Sequence, residues 1–161
     1  MKDDFMGVPF RKISKNVDLN GLSRECKEIL SSHNSLQVGL QSDKPNGSWR
    51  DAIGKGTYMK ETDFIYPVFA YPLINHYIKK YNMHRTRIFV SNPKTCLSWH
   101  HDRLPRIHIP IQTDPGCIMI VENEAMHLEA GSVYRVDTRK YHSAMNGSKR
   151  NRIHIVGCIS V

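Results

Sequence analysis

Short segments that alternate apolar and polar residues follow one another from residue 86 to the end of the chain, and they constrain the fold more than any other feature. Turn-forming residues separate them, as at Asn92-Pro93, at Asp114-Pro115-Gly116 and at Gly131. The segment 106–112 alternates most cleanly, with isoleucine at every second position. Several antiparallel strands in about 75 residues predict a small double-layer β-barrel of the jelly-roll or cupin kind. The strands predicted in this half are 87–90, 96–101, 106–112, 117–121, 126–128, 132–136 and 152–159.

The N-terminal half has helical patterns and fewer strands. Asp18 or Asn20 can cap a helix that has one apolar face, and Pro72 can occupy the first turn of a second helix. We therefore expect one mainly β domain, in which residues 1–85 form a helical and mixed support and residues 86–161 form the barrel core. The predicted elements of the support are helices from about 18 to 32 and from about 72 to 81, and strands at 8–13 and 36–40.

The composition is that of an ordinary globular protein, with 40% hydrophobic and 24% charged residues. No apolar run is long enough to span a membrane, and the N-terminus lacks the apolar segment of a secretory signal, so a cytoplasmic location is expected. The four cysteines are scattered, which disfavours a zinc ribbon or a disulfide framework. The formal net charge of +8 favours anionic partners, but the charges are spread along the chain, which favours a solvated surface over a nucleic-acid groove.

Three potential metal ligands stand in a suggestive order, as His100 and Asp102 of a His-His-Asp triplet and then His142. On a strand His100 and Asp102 would point to one face and His101 to the other, where a surface position is expected. Two imidazoles and one carboxylate on one side of an ion leave other positions open, as in non-haem Fe(II) oxygenases. The chain has nine histidines, however, so the spacing alone leaves a chance match open.

Two predicted strands also place polar side chains on the face opposite their isoleucines. Arg106 and His108 alternate in one strand, and Arg152 and His154 alternate in the last strand. Polar groups on the inward face of a barrel are costly to bury unless they bind something. These four residues therefore predict a charged pocket, although His108 and His154 fit a buried core histidine with satisfied hydrogen bonds equally well.

Several motifs in this half occur in the order and at the spacing of a known family. They are Arg87-Ile88-Phe89, His100-His101-Asp102, Arg106-Ile107-His108-Ile109-Pro110, the stretch Gly131–Asp137, His142-Ser143-Ala144-Met145-Asn146 and Arg152-Ile153-His154-Ile155-Val156. With them, residues 86–161 resemble the aspartyl/asparaginyl β-hydroxylase-like family of Fe(II)- and 2-oxoglutarate-dependent dioxygenases, including its proline cis-4-hydroxylase-like members.

The resemblance implies a role for each matched residue. His100, Asp102 and His142 would bind iron, Arg152 would bind the distal carboxylate of 2-oxoglutarate, and Arg106 would lie beside this cosubstrate. An arginine suits that task because its planar guanidinium can form two parallel hydrogen bonds with a carboxylate.

Two positions depart from the family. The animal enzymes have a serine eleven residues before the first ligand histidine, where this chain has Phe89. The loop between the second ligand and Arg106 is only Arg103-Leu104-Pro105, shorter than in the proline hydroxylases, which disfavours free proline as the substrate.

We therefore expect a hydroxylase that uses O2, Fe(II) and 2-oxoglutarate to oxidise an amino-acid side chain, free or within a peptide or protein. The cosubstrate would be decarboxylated to succinate. Two other interpretations stay open, a nucleic-acid-directed oxygenase or basic nucleic-acid-binding barrel, and a non-catalytic cupin that binds a metal or a ligand. A complete triad together with Arg152 favours the enzyme.

Overall fold

The computed structural model describes residues 5–54 and 60–161, and it is mainly β. Its helices are α1 (Leu19–Ser31), α2 (Pro72–Lys80) and a short 3-10 helix at Glu61–Asp63. None of these helices is long and apolar enough to cross a membrane. The strands are β1 (Phe10–Ser14), β2 (Gln37–Gly39), β3 (Gln41–Ser42), β4 (Tyr66–Pro67), β5 (His84–Ser91), β6 (Thr95–Cys96), β7 (Arg106–Gln112), β8 (Cys117–Val121), β9 (Glu124–Met126), β10 (Val133–Val136), β11 (His142–Asn146) and β12 (Arg152–Cys158).

A larger sheet of six strands runs in the order β1-β10-β7-β12-β5-β2, with antiparallel neighbours throughout. The long strands β7 and β12 lie at its centre and β5 beside them. Both edge strands come from the N-terminal part of the chain. The sheet therefore extends into the part for which the sequence predicts helical and mixed support.

The two faces of this sheet carry different side chains, because successive residues of a strand point to opposite faces. The isoleucines of β5, β7 and β12 pack with apolar residues of α1 and α2 in one core cluster. The other face carries the alternate residues, among them Arg106, His108, Arg152 and His154, all of which are buried. Directly paired residues share a face, so His108, Val156 and Arg87 form one row across three neighbouring strands.

A smaller sheet, β6-β11-β8-β9, closes the second layer. A second core cluster joins the two sheets, since Phe10, Tyr134 and Val136 of the larger sheet pack with Met119 and Val121 of the smaller one. Strands β3 and β4 form a separate two-stranded sheet. The prediction of a double-layer barrel with helices packed on it is confirmed.

Helix α1 begins where the sequence allowed two alternatives. Asp18 is the N-cap, and its Oδ1 accepts a hydrogen bond from the backbone N–H of Gly21 at 2.9 Å. The apolar face of the helix buries Leu22, Cys26 and Ile29 against the sheet. The second predicted helix is confirmed as α2, with Pro72 in its first turn.

The strand predicted over residues 96–101 is wrong for most of its length. Strand β6 ends at Cys96. Beyond it, the N–H of Leu97 donates to Ala144 O of β11 at 3.0 Å, and His100 forms an isolated antiparallel bridge with His142. Strand β11 is not among the strands predicted from the alternating pattern. The triplet therefore lies on an irregular segment that follows a very short strand.

Candidate active site

The three potential ligands converge although they come from different parts of the chain. One ligand atom each from His100, Asp102 and His142 lies within 4.8 Å of the others. The bridge between His100 and His142 brings the two rings together, with centroids 4.3 Å apart. The backbone N–H of Asp102 donates to Thr138 O at 2.8 Å, which fixes the third potential ligand beside them.

The hydrogen bonds of the two imidazoles leave the same nitrogen free in each. Nδ1 of His100 lies 2.6 Å from Ser98 O, and Nδ1 of His142 lies 2.9 Å from Lys140 O. A carbonyl oxygen only accepts, so both Nδ1 atoms carry the proton and both Nε2 lone pairs are available. Metal-binding histidines are oriented in this way by a second hydrogen bond.

Electrostatics favour the protonation states of Asp102 and His142 that a cation requires. Burial opposes the ionisation of Asp102, but the charge and hydrogen bond of Arg106 outweigh it and lower the pKa of this carboxyl group. Nε of Arg106 donates to Oδ2 of Asp102 at 2.6 Å. Burial lowers the pKa of His142, which favours the neutral ring. The donor set, two imidazoles and one carboxylate, fits a divalent transition metal.

Arg152 is buried in a setting that disfavours its charge. Burial lowers the pKa of its guanidinium to about 10. Its Nη2 donates to Nδ1 of His154 at 3.0 Å, and no carboxylate pairs with it among residues 5–54 and 60–161. His108 lies next to this pair, with its Nδ1 3.4 Å from Nδ1 of His154. Burial, together with the nearby arginines, holds the pKa of both histidines well below the ordinary value.

One cavity of about 730 Å³ contains both the triad and Arg152. Its basic and acidic lining includes four further arginines and one further carboxylate, namely Arg85, Arg87, Arg103, Arg106 and Glu61. Apolar side chains, including Phe89, Met119 and Val156, complete the wall. A partly apolar cavity with a few convergent charged groups is the usual form of a small-molecule site.

A family profile described as Aspartyl/Asparaginyl beta-hydroxylase matches residues 18–159. The chain belongs to this family. An L-proline cis-4-hydroxylase from Rhizobium meliloti (strain 1021) is 26% identical over 178 aligned residues, which cover 97% of this chain and 60% of that protein. The chain therefore spans about 60% of the length of this curated relative.

Two solved structures have the same fold at low sequence identity. A prolyl-4-hydroxylase from Pseudomonas putida has a TM-score of 0.56 at 12% identity, covering 97% of this chain and 94% of that one. AviO1 from Streptomyces viridochromogenes Tue57 has a TM-score of 0.56 at 11% identity, covering 92% and 87% respectively. The barrel with its N-terminal helices is thus shared over almost the whole length of this β-hydroxylase family member.

The residues predicted from sequence fall in one region. His100, Asp102, His142, Arg106, His108 and Arg152 all line the cavity. His154 lies directly behind, in contact with Arg152. His101 is exposed at the cavity rim, with its ring centroid 5.1 Å from that of Tyr141.

Sequence reasoning missed Glu61, Arg85 and Arg87. Arg87 lies on β5 at an alternate position facing the cavity, so the rule that selected Arg106 and Arg152 was sufficient to find it. Glu61 gave no comparable signal, because it lies in the short 3-10 helix and reaches the cavity through contacts with residues distant in sequence.

Proposed function

We propose that this protein is an Fe(II)- and 2-oxoglutarate-dependent dioxygenase that hydroxylates an amino-acid side chain, free or within a peptide or protein. The observation that carries the proposal is that a single cavity holds both a complete His-Asp-His triad and a buried arginine without a carboxylate partner in the described structure. Family membership and the relative named as an L-proline cis-4-hydroxylase support the same activity.

The chain's own residues suit each binding role. His100, Asp102 and His142 would hold the metal ion from one side and leave its other positions free for ligands. Arg106 would keep Asp102 ionised and fixed in orientation through its hydrogen bond. When bound, ferrous iron with O2 and 2-oxoglutarate supplies the oxidation that converts a C–H bond into an alcohol, with release of succinate and carbon dioxide.

Arg152 is suited to the distal carboxylate of 2-oxoglutarate. Its hydrogen bond to His154 fixes the guanidinium, and burial makes an unpaired charge there costly. A carboxylate would remove that cost through charge-assisted hydrogen bonds. The apolar side chains Phe89, Met119 and Val156 would exclude water from the same cavity, which strengthens these bonds.

The test is succinate formation by the iron-loaded protein with 2-oxoglutarate and a panel of amino acids and short peptides. His100→Ala or His142→Ala should reduce substrate-stimulated succinate to the level without enzyme, because each removes a metal ligand. His76→Ala, on the exposed face of α2, is the matched control and should keep full turnover. Unchanged turnover in both triad variants refutes the proposal.

A further inference from the structure

Among the buried and half-buried arginines of the cavity, two have no carboxylate partner in the described structure, and the proposed 2-oxoglutarate would account for one of them. Arg106 pairs with Asp102, and Arg85 pairs with Glu61 at 2.8 Å. Arg103, the fifth arginine of the lining, is exposed and has an interaction of its own. Arg152 and Arg87 remain, both lining the cavity. In the proposed reaction one carboxylate of 2-oxoglutarate is used by the metal, so a single arginine is enough for the other. The second unpaired arginine is then available to a second anionic ligand.

Arg87 is held in place but not neutralised. Its Nη1 donates to Oε1 of Gln37 at 3.0 Å, while its Nε is buried without a hydrogen-bond partner. Burial, together with the neighbouring charges of Arg106 and Arg85, lowers the pKa of Arg87 to about 10. A half-buried guanidinium in this state is stabilised by a carboxylate that enters the cavity.

Glu61 presents an unused carboxylate oxygen in the same place. Its Oε1 accepts a hydrogen bond from Nη1 of Arg85 at 2.8 Å and lies 3.5 Å from Nη2 of Arg106. Its buried Oε2 has no hydrogen-bond partner. The nearby thiol of Cys158 is only a weak donor, and burial, among other causes, raises its pKa to about 11. Glu61 therefore has capacity for one more cationic donor.

The position of Glu61 is fixed relative to the metal ligands. The Arg106 guanidinium spans from Oδ2 of Asp102 to Oε1 of Glu61, so a single side-chain group separates the two carboxylates. Arg85 adopts a left-handed backbone conformation, with φ of 47°, and also donates to Gly54 O at 2.6 Å. Such a conformation is costly outside glycine, which indicates that the surrounding contacts hold Arg85, and with it Glu61, in place.

We propose that Arg87 and Glu61 form the binding subsite for the primary substrate, a free α-amino acid whose carboxylate pairs with Arg87 and whose ammonium group pairs with Oε2 of Glu61. The two side chains line one cavity and do not pair with each other in the described structure, so each charge is available to a ligand with the opposite charge. A residue within a polypeptide carries neither charge on its backbone, so this subsite selects a free amino acid. The inference rests on the proposed hydroxylase function and specifies its substrate class.

The test measures binding to the nickel-substituted protein saturated with 2-oxoglutarate, in which turnover is blocked. Calorimetry with the twenty common amino acids identifies the tightest ligand, which is then compared with its primary amide and its N-acetyl form. The free amino acid should bind at least roughly 10-fold more tightly than either derivative, since each derivative loses one charge-assisted hydrogen bond.

Variants assign each charge to its partner. Arg87→Gln should weaken binding of the free amino acid roughly 10- to 100-fold and should change binding of its amide little. Glu61→Gln should weaken binding of the free amino acid but should hardly change binding of the N-acetyl form. Arg150→Gln and Glu129→Gln, both exposed, are the matched controls and should leave every affinity unchanged. The affinity for 2-oxoglutarate, expected within about 2-fold of wild type in Arg87→Gln, reports that the variant is folded.

Three outcomes overturn the subsite while leaving the hydroxylase proposal intact. In the first, the protein binds 2-oxoglutarate but no free amino acid. In the second, the amide binds as tightly as the free amino acid. In the third, Arg87→Gln weakens binding of the free amino acid and the amide equally, or weakens binding of 2-oxoglutarate instead. If Glu61→Gln does not fold, the amide and N-acetyl comparisons with the wild-type protein decide. Failure of the wild-type protein to bind 2-oxoglutarate at all would instead count against the hydroxylase.

Discussion

Arg152 combines deep burial with the absence of a carboxylate partner in the described chain, and this combination makes a specific prediction. Arg152→Ala should weaken 2-oxoglutarate binding roughly 10- to 100-fold, the range that a charge-assisted pair supplies. Arg152→Lys should recover only part of the affinity, because an ammonium group lacks the planar pair of donors. Metal content should stay at the wild-type level in both variants, since Arg152 touches none of the three potential ligands directly.

Calorimetric titration of the metal-loaded variants with 2-oxoglutarate checks this expectation. Arg150→Ala, an exposed arginine next to the same strand, serves as the control. Loss of the metal together with the cosubstrate in Arg152→Ala would show that the arginine maintains the fold of the site instead of binding a diacid.

The neighbouring pair His108 and His154 should make stability depend on pH. Burial holds the pKa of each ring well below the value of about 6.5 expected in the unfolded chain. Below about pH 6.5 the unfolded chain therefore takes up protons that the folded chain cannot. The free energy of unfolding decreases as the pH is lowered through this range. The contribution of the two neutral rings to the free energy of unfolding is fully present above that pH. Below it, the free energy of unfolding should decrease by up to roughly 1.4 kcal/mol for each histidine and each unit by which the pH is lowered.

Urea unfolding of the metal-free protein between about pH 7.5 and pH 5 measures this slope. His154→Gln should reduce the slope by about one proton, because glutamine does not titrate. A free energy of unfolding that is constant over this range, or a slope unchanged in His154→Gln, would contradict the assignment of neutral buried rings.

At the level of elements, the N-terminus of α1 gives a direct test of which residue caps the helix. Asp18→Ala should lower the free energy of unfolding by about 1 kcal/mol, because the N–H of Gly21 loses its side-chain acceptor. Asn20→Ala, inside the first turn and exposed, should leave stability unchanged or slightly higher. Chemical denaturation of the two variants checks this, and the reverse order of stabilities would contradict the cap.

The strands show which part of the site is readable from sequence. Alternation in β7 and β12 predicted that their isoleucines and their charged residues lie on opposite faces, because side-chain direction on a strand depends only on parity. The same parity applies to Arg87 on β5. The segment 97–101 failed this rule, since it bonds to β11 only at separate points, Leu97 and His100, and therefore does not keep the geometry of a strand.

Glu61 marks the limit of local reasoning. Its place in the cavity depends on Arg85 and Arg106, which are separated from it by 24 and 45 residues of sequence. No periodic pattern surrounds it, and a surface position is the default for a glutamate in a polar stretch. Residues brought to a site by tertiary contacts of this kind become visible only in the folded chain.

For the molecule as a whole, the division of the larger sheet into two faces links fold and function. One face packs its isoleucines on α1 and α2 and supplies most of the hydrophobic core. The opposite face can then carry arginines and histidines toward the cavity, at a cost in desolvation that bound anions and a metal ion would offset. The same residues that destabilise the empty cavity would thus create its affinity for charged ligands.

Joint binding of a metal ion and 2-oxoglutarate in this cavity can be measured by a calorimetric titration with a divalent metal followed by 2-oxoglutarate. Wild-type protein should bind one ion per chain and then one 2-oxoglutarate, and without the metal 2-oxoglutarate should bind far more weakly. His142→Ala should lose both events, since the ion loses a ligand and the cosubstrate loses the ion. Equal metal affinity in wild type and His142→Ala, or 2-oxoglutarate binding that is indifferent to metal, would contradict the account.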